Sequence, residues 1–319
     1  MNNVLEVEDL KVYYKGTTGE YRAVDGVSFD VGKKEVFGIA GESGCGKSTL
    51  VEGILRIIKP PGYIAGGKIT FDGIDLLKLE EEELRKIRWR KLSYIPQGSM
   101  NSLNPILKVK DQITDAIITD TDTSKKEAEK ELPALLKIVG LPREVSEMYP
   151  HELSGGMKQR VIIAAATALK PDLVVADEPV TALDLIVQRG VLQAIVNLRD
   201  KYGASVLFIA HDMAAHAELV DRLAIMYAGL IMEIGSVFDI FKDPLNPYTN
   251  LLIQAIPSID KTKIIGIPGI SPSLFNWPQG CRFHPRCPSA MDICKSELPE
   301  LICLGKGHFV ACHLFGGQK

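Results

Sequence analysis

The 319-residue chain has no apolar run long enough to span a bilayer; residues 161–169 are apolar but far too short. Any membrane role therefore needs protein partners. Basic charge is not in excess either: the net charge is -3 and the pI about 6.1. That balance argues against nucleic acid or another polyanion as partner. No signal peptide is expected, because Met1-Asn2-Asn3 leads straight into alternating residues with acidic flanks. There is no long internal repeat, low-complexity tract or coiled-coil insertion. Cysteine is missing between Cys45 and Cys281, and the other five lie from Cys281 to Cys312. This excludes a disulfide framework for the whole chain and points to local chemistry in a C-terminal annex.

What the sequence does have is Gly41-Glu42-Ser43-Gly44-Cys45-Gly46-Lys47-Ser48-Thr49, which fits the phosphate-loop pattern G-x-x-x-x-G-K-[ST]. The apolar run 36–40 before it reads as a buried strand. Residues 48–58 after it read as a helix, stopped by Pro60-Pro61-Gly62. Gly44 and Gly46 let backbone N–H groups turn inward as an anion nest, and the helix N-terminus adds its unpaired donors and dipole. Lys47 can reach the outer phosphates, and the Ser48 hydroxyl can ligate Mg²⁺. The bland alternative is a glycine turn that binds nothing.

Residues 5–14 and 23–31 alternate as half-buried strands do, with Gly16 and Gly19 between them. With Lys68-Ile69-Thr70-Phe71 they predict a small antiparallel layer. Residues 80–90 read as a charged, solvated helix. A helical insertion is expected over 111–150, interrupted by Pro133 and Pro142. Helices are predicted over 157–169 and 187–199. Buried strands are expected at 92–95, 173–176 and 205–210, and a hairpin around Ala228-Gly229. Strands alternating with helices predict an α/β fold with a parallel, covered sheet. Beyond Tyr248 proline, glycine and cysteine accumulate, so a boundary is expected near residue 255.

Three polar clusters follow predicted strands: Gln97, Asp177-Glu178 and His211. The carboxyl ends of parallel strands face the ligand crevice, so all three are expected near the phosphates. Asp177 suits Mg²⁺, and Glu178 suits orienting or deprotonating the attacking water. Singly, each has an ordinary explanation: a surface Gln, a helix-capping Asp, a structural His. Leu153-Ser154-Gly155-Gly156-Met157-Lys158-Gln159-Arg160 then opens a helix with a second anion-binding N-terminus. One phosphate tail does not need two such ends from one subunit.

In this order of motifs, completed by Ala182-Leu183-Asp184, the chain resembles the ATP-binding cassette (ABC) ATPases over residues 4–250. The resemblance implies a nucleotide-binding domain at 1–255: a RecA-like parallel core, an antiparallel β subdomain and a helical subdomain at about 98–160. It implies a head-to-tail dimer in which each ATP lies between one subunit's phosphate loop and the partner's Ser-Gly-Gly helix. Residues Gly41, Ser43 to Thr49 and Gln97 would then serve one nucleotide, and Ser154, Gly155, Gly156 and Gln159 the partner's. Ser48, Gln97 and Asp177 would hold Mg²⁺, with Glu178, His211, Gln97 and Lys47 catalytic. Tyr14 would stack on adenine, with Tyr21 as rival.

The tail resembles the ATPase subunits of oligopeptide and dipeptide importers. This rests on Tyr248-Thr249-Asn250-Leu251-Leu252, Pro268-Gly269 and Cys281-Arg282-Phe283-His284-Pro285-Arg286-Cys287-Pro288. It rests also on Met100-Asn101-Ser102-Leu103-Asn104-Pro105, although Gly98-Ser99 stand where an acidic residue and a proline are usual. The implied assembly has a second, similar ATPase, two permease subunits and an external binding protein, on the cytoplasmic face of the cell membrane. Peptide is the implied cargo, with oligosaccharide or nickel as alternatives. A soluble, non-transport ABC ATPase is the rival class. The extension at 256–319 is expected to be irregular. Cys281, Cys287, Cys294 and Cys312 can ligate a [4Fe–4S] cluster or Zn²⁺; the resemblance points to the cluster. Cys303 is then spare, packed by its apolar flanks, while His284, His308 or His313 could join a zinc site.

Overall fold

The computed structural model describes residues 3–17, 19–98, 101–119, 121–181, 183–256, 266–273 and 277–316. In chain order, β1 (Asn3–Gly16), β2 (Gly19–Gly32) and β3 (Val36–Ala40) lead to α1 (Lys47–Ile54). Then come β4 (Gly62–Phe71), β5 (Ile74–Asp75), α2 (Glu81–Ile87), β6 (Leu92–Ile95), α3 (Val109–Ile118) and α4 (Lys125–Ile138). The chain continues through α5 (Gly155–Ala166), β7 (Leu173–Asp177), α6 (Leu185–Tyr202), β8 (Ser205–Ile209) and α7 (Met213–Leu219). It ends with β9 (Arg222–Tyr227), β10 (Leu230–Ser236), α8 (Val237–Lys242), α9 (Pro247–Gln254), β11 (Leu301–Cys303) and β12 (Phe309–Ala311). Two compact units form, and both are discontinuous in sequence.

The first unit comprises Met1–Val4, Val31–Val36 and Lys78–Ile209. Its sheet segment runs β6-β7-β8, with both pairs parallel. The strands are mostly apolar because both faces are covered, and β7 and β8 are buried throughout. Helices α3 to α6 supply the rest of its core through Ile113, Leu132, Leu136, Ile163 and Leu198.

Pro133 does not interrupt α4, contrary to the expectation. It sits on the exposed side, where water can take the carbonyl bond it cannot supply, while Ala128, Leu132, Leu135 and Leu136 bury the other face. A capping box between Ser124 and Glu127 starts this helix. Pro142 does mark a break, into a short 3₁₀ turn at Arg143–Glu147. α5 starts two residues earlier than predicted. Position 156 in its first turn has room only for glycine, because a Cβ there would lie 1.9 Å from Val187 Cγ1.

The second unit comprises Leu5–Asp30, Phe37–Leu77 and Ala210–Lys319. It contains an antiparallel layer ordered β2-β1-β4-β5. Its other sheet segment runs β11-β12-β10-β9-β3. There β3 and β9 are parallel and the remaining pairs antiparallel. The predicted hairpin turns at Ala228-Gly229, both in left-handed backbone. α1 is shorter than expected and ends at Ile54, with Leu55 as its C-cap.

The cysteine-bearing tail is less irregular than its composition suggests. β12 pairs with β10, so the tail folds on the unit's core rather than on one of its own. Phe283 is buried against Tyr227 and Tyr248, with ring centroids 5.3 and 5.1 Å away. Buried Glu233 of β10 receives His308 Nε2 at 2.7 Å and the N–H groups of Leu245 and Asn246, which ties α9 and β12 to one strand.

Candidate nucleotide site

The phosphate loop lies wholly in the second unit. It leaves β3 at Ala40 and enters α1 through Gly46, whose φ of 108° suits only glycine. A Cβ at Gly46 would lie 2.2 Å from the Ala23 carbonyl oxygen, and one at Gly41 would lie 2.1 Å from that of Met226. The loop is therefore pressed between two backbones, which fixes its curvature. α1 has no side-chain cap and no acidic residue in its first turn, so the positive end of its dipole is not offset from within the helix.

Lys47 is buried, and its Nζ donates to the carbonyls of Gly41 at 2.8 Å and Glu42 at 3.1 Å. The Cys45 thiol is also buried; burial pushes its pKa up despite the Lys47 charge. Gly44 has space around it, with φ +78°. Ser48 and Thr49 form the first turn of α1 with Lys47. Thr49 Oγ1 lies 3.3 Å from the Tyr14 hydroxyl. Tyr14 stands opposite Gly62 in β4, where a Cβ would meet its ring at 2.7 Å. Tyr21 instead covers Gly16 within its own hairpin. The geometry thus brings Tyr14, not Tyr21, to the loop helix.

His211, two residues beyond β8, is exposed in this unit. Its neighbour Asp212 caps α7 by accepting the Ala214 N–H. Fully buried His216 packs on Gly38 of β3, and its pKa is lowered to about 4 by burial; the charges of Lys47 and His211 act in the same direction.

The remaining predicted residues belong to the first unit. Asp177 ends β7 and is 2% exposed. Glu178 follows with φ 48° and donates its N–H to the Ile209 carbonyl. That turn swings a half-buried carboxylate off the strand end. Gln97 Nε2 donates to its Oε2 at 2.9 Å, and so does the Thr181 hydroxyl. Gln97 and Glu178 thus meet, as their positions after adjacent parallel strands imply. Ser154 is the N-cap of α5 and accepts the Met157 N–H at 3.3 Å. Gly155 and Gly156 form the first turn of α5, and Gln159 is buried one turn on. Asp184 caps α6, leaving Leu185 and Ile186 exposed. Ser99, Met100 and Ala182 lie outside the described residues.

Sequence reading missed a cluster on Glu42. Arg286 Nη1 and Nη2 donate to the two Glu42 carboxylate oxygens at 2.8 and 2.9 Å. The Ser271 hydroxyl adds a third bond, and the Tyr248 hydroxyl accepts the Glu42 N–H at 3.0 Å. Burial would raise the Glu42 carboxyl, but bonds from Arg286 and Ser271 and the Arg286 and Lys47 charges hold it below the usual carboxylate range. A cleft of about 150 Å³ opens beside it, lined by Ser43, Gly44, Cys45, Tyr227, Ser271 and Trp277. The one hint in sequence was an arginine set between Cys281 and Cys287.

All six cysteines are free thiols. The backbone N–H of Cys281 donates to the Cys294 carbonyl at 2.9 Å. Burial pushes the Cys312 thiol up to about 11, and the neighbouring Cys281, Cys287 and Cys294 add to the shift. Those four therefore share one neighbourhood. Among the described residues, no group of three or more Cys, His, Asp or Glu is gathered tightly enough to hold an ion. Cys303 is exposed on β11. His284 bonds the Cys281 carbonyl, His308 the Glu233 carboxylate and His313 the Glu297 carbonyl.

Comparison with known proteins adds to this geometry. The family model described as ABC transporter matches residues 24–181, and that of the oligopeptide/dipeptide transporter C-terminal region matches 232–294. The dipeptide transport ATP-binding protein DppD of Caldanaerobacter subterraneus subsp. tengcongensis is 43% identical over 99% of this chain and 98% of its own. The oligopeptide transport ATP-binding protein OppD of Bacillus subtilis is 41% identical over 97% of this chain and 88% of its own. Among solved structures, the dimeric ATP-binding cassette MJ0796 in a post-hydrolysis state with ADP and phosphate superposes with a TM-score of 0.65. It shares 27% identity and covers 73% of this chain and 98% of its own.

Proposed function

This chain belongs to the ATP-binding subunits of ABC transporters, in the oligopeptide/dipeptide branch, and from that membership we propose how its residues divide one reaction. It hydrolyses ATP to power the import of di- or oligopeptides. The phosphate loop binds the phosphates through the open first turn of α1 and Lys47, and Tyr14 stacks on the adenine. Glu178, held by Gln97 and Thr181, takes a proton from the attacking water, and His211 senses the γ-phosphate. Ser48, Gln97 and Asp177 offer a hydroxyl, an amide oxygen and a carboxylate, hard oxygen donors that fit Mg²⁺. When bound, that ion neutralises charge on the phosphates.

The observation that carries the reading is the pair of unlike helix N-termini. α1 has no internal cap and α5 is capped by its own Ser154. In the proposed head-to-tail heterodimer with a second ATPase, Ser154, Gly155, Gly156 and Gln159 close over the partner's ATP. The proposed assembly adds transmembrane permeases and a substrate-binding protein, in keeping with membership of a transporter branch. Among the described residues no helix is long and apolar enough to cross a membrane, which accords with peripheral attachment to permeases at the cytoplasmic face. Reconstitution in proteoliposomes with permeases and the second ATPase tests this. ATP-dependent peptide uptake is expected; uptake of oligosaccharide or nickel without peptide would replace the cargo.

Cys281, Cys287, Cys294 and Cys312 are the proposed ligands of a [4Fe–4S] cluster. Their shared neighbourhood and the existing bonds of His284, His308 and His313 support an all-thiolate set. When bound, the cluster's role is structural, a pin for the tail. Protein purified without oxygen should be brown with about four irons per chain. One zinc per colourless chain would replace the cluster with a closed Zn²⁺ site.

A further inference from the structure

The residues that mark the tail as a peptide-importer type converge on one side chain of the phosphate loop. Arg286 is nearly buried, at 7% side-chain exposure, and each of its three guanidinium nitrogens donates a hydrogen bond. Nε donates to the Pro268 carbonyl at 2.7 Å, and Nη1 also reaches the Tyr227 hydroxyl at 3.1 Å. Gly269 leaves room for this path, since a Cβ there would lie 3.3 Å from Arg286 Cγ. The two remaining directions form a bidentate pair with Glu42. Tyr248 and Ser271 complete the hold.

Glu42 is an awkward residue at this place. Its carboxylate is partly buried within a loop built to attract anions. Lys47 stands close enough to lower its pKa, and its own carbonyl accepts from the Lys47 ammonium. An uncompensated carboxylate there would repel phosphates and compete for Lys47. The arginine both cancels the charge and fixes its direction.

We propose that Arg286 is a positioning residue for ATP binding: it neutralises and clamps Glu42, so that the cysteine-bearing tail sets the affinity of the phosphate loop. The inference rests on the ATPase reading but not on any metal in the tail. Arg286 contacts Glu42, so its effect on ATP would pass through that residue.

ATP affinity of the full chain and ATPase kinetics of the assembled complex test the proposal. Arg286→Ala should weaken ATP binding about tenfold and raise KM while leaving kcat at saturating ATP within about twofold. Adding Glu42→Gln to that variant should restore affinity to within about twofold, because the stranded charge is gone. A purely structural role for Arg286 would not be rescued by altering a second residue. His313→Ala, which loosens the tail away from Glu42, should leave affinity unchanged. Unaltered affinity in Arg286→Ala, or a double variant as weak as the single, overturns the proposal. Should Arg286→Ala fail to fold, Glu42→Gln alone decides: it should bind ATP at least as tightly as the unaltered chain, and a tenfold loss overturns the idea.

Discussion

Two glutamates, one in each unit, have opposite treatments. Glu42 is held by a bidentate arginine and a serine hydroxyl, and its backbone N–H by a tyrosine. Glu178 has two neutral donors, Gln97 and Thr181, and a left-handed turn that lifts it from the strand end. A carboxylate matched by a guanidinium is a fixed electrostatic part, its proton affinity lowered. The Glu178 carboxylate instead accepts from a neutral amide and a neutral hydroxyl. Burial and pairing, not residue type, distinguish the two glutamates.

The largest effect that can break this comparison is expected at Glu178, the proposed base. Glu178→Gln should keep ATP binding and lower turnover of the assembled transporter by about two or more orders of magnitude. Near-normal steady-state hydrolysis would remove Glu178 from that role. Ser154→Arg probes the first unit's other contribution. Nucleotide binding to this chain alone should persist while ATPase activity of the complex falls at least tenfold, since a bulky cation replaces the N-cap of α5. Collapse of monomer binding with an active complex would reverse the assignment. Lys47→Ala should weaken ATP affinity itself, by about tenfold or more in equilibrium binding, because a buried cation beside the loop is lost.

The smallest effect concerns stability in the second unit. His216 is neutral when folded, with its pKa lowered to about 4 from an ordinary value near 6.5. The unfolded chain binds that proton first, so stability is full above pH 6.5 and falls as pH drops toward 4. The loss is on the order of 3 kcal/mol. Denaturant unfolding between pH 7 and 4 should show this slope, and His216→Gln should flatten it. An unchanged slope would move the effect to another group.

What the sequence made legible was local. The strand before Gly41, the helix after Lys47 and the parallel order of β6, β7 and β8 all follow from short apolar runs and glycine. The Gln97–Glu178 contact follows from adjacent strand ends. α4 ran through Pro133 because its buried face outweighs one missing hydrogen bond on the wet side. The Arg286–Glu42 pair joins residues 244 positions apart, and no periodicity encodes such a distance. The β12–β10 pairing was hidden for a like reason: three residues are too few to show alternation.

That separation has a consequence during synthesis. A growing chain exposes its complete phosphate loop early, but Arg286 emerges 244 residues after Glu42. At roughly 5–20 residues per second, the loop waits about 12–50 s on the ribosome for its counter-charge. Through that interval the proposed clamp on Glu42 is missing, so the half-made loop is expected to bind ATP about tenfold more weakly. Full affinity for ATP would then arrive only with the tail, and a chain truncated before Arg286 should show the same weakening as Arg286→Ala.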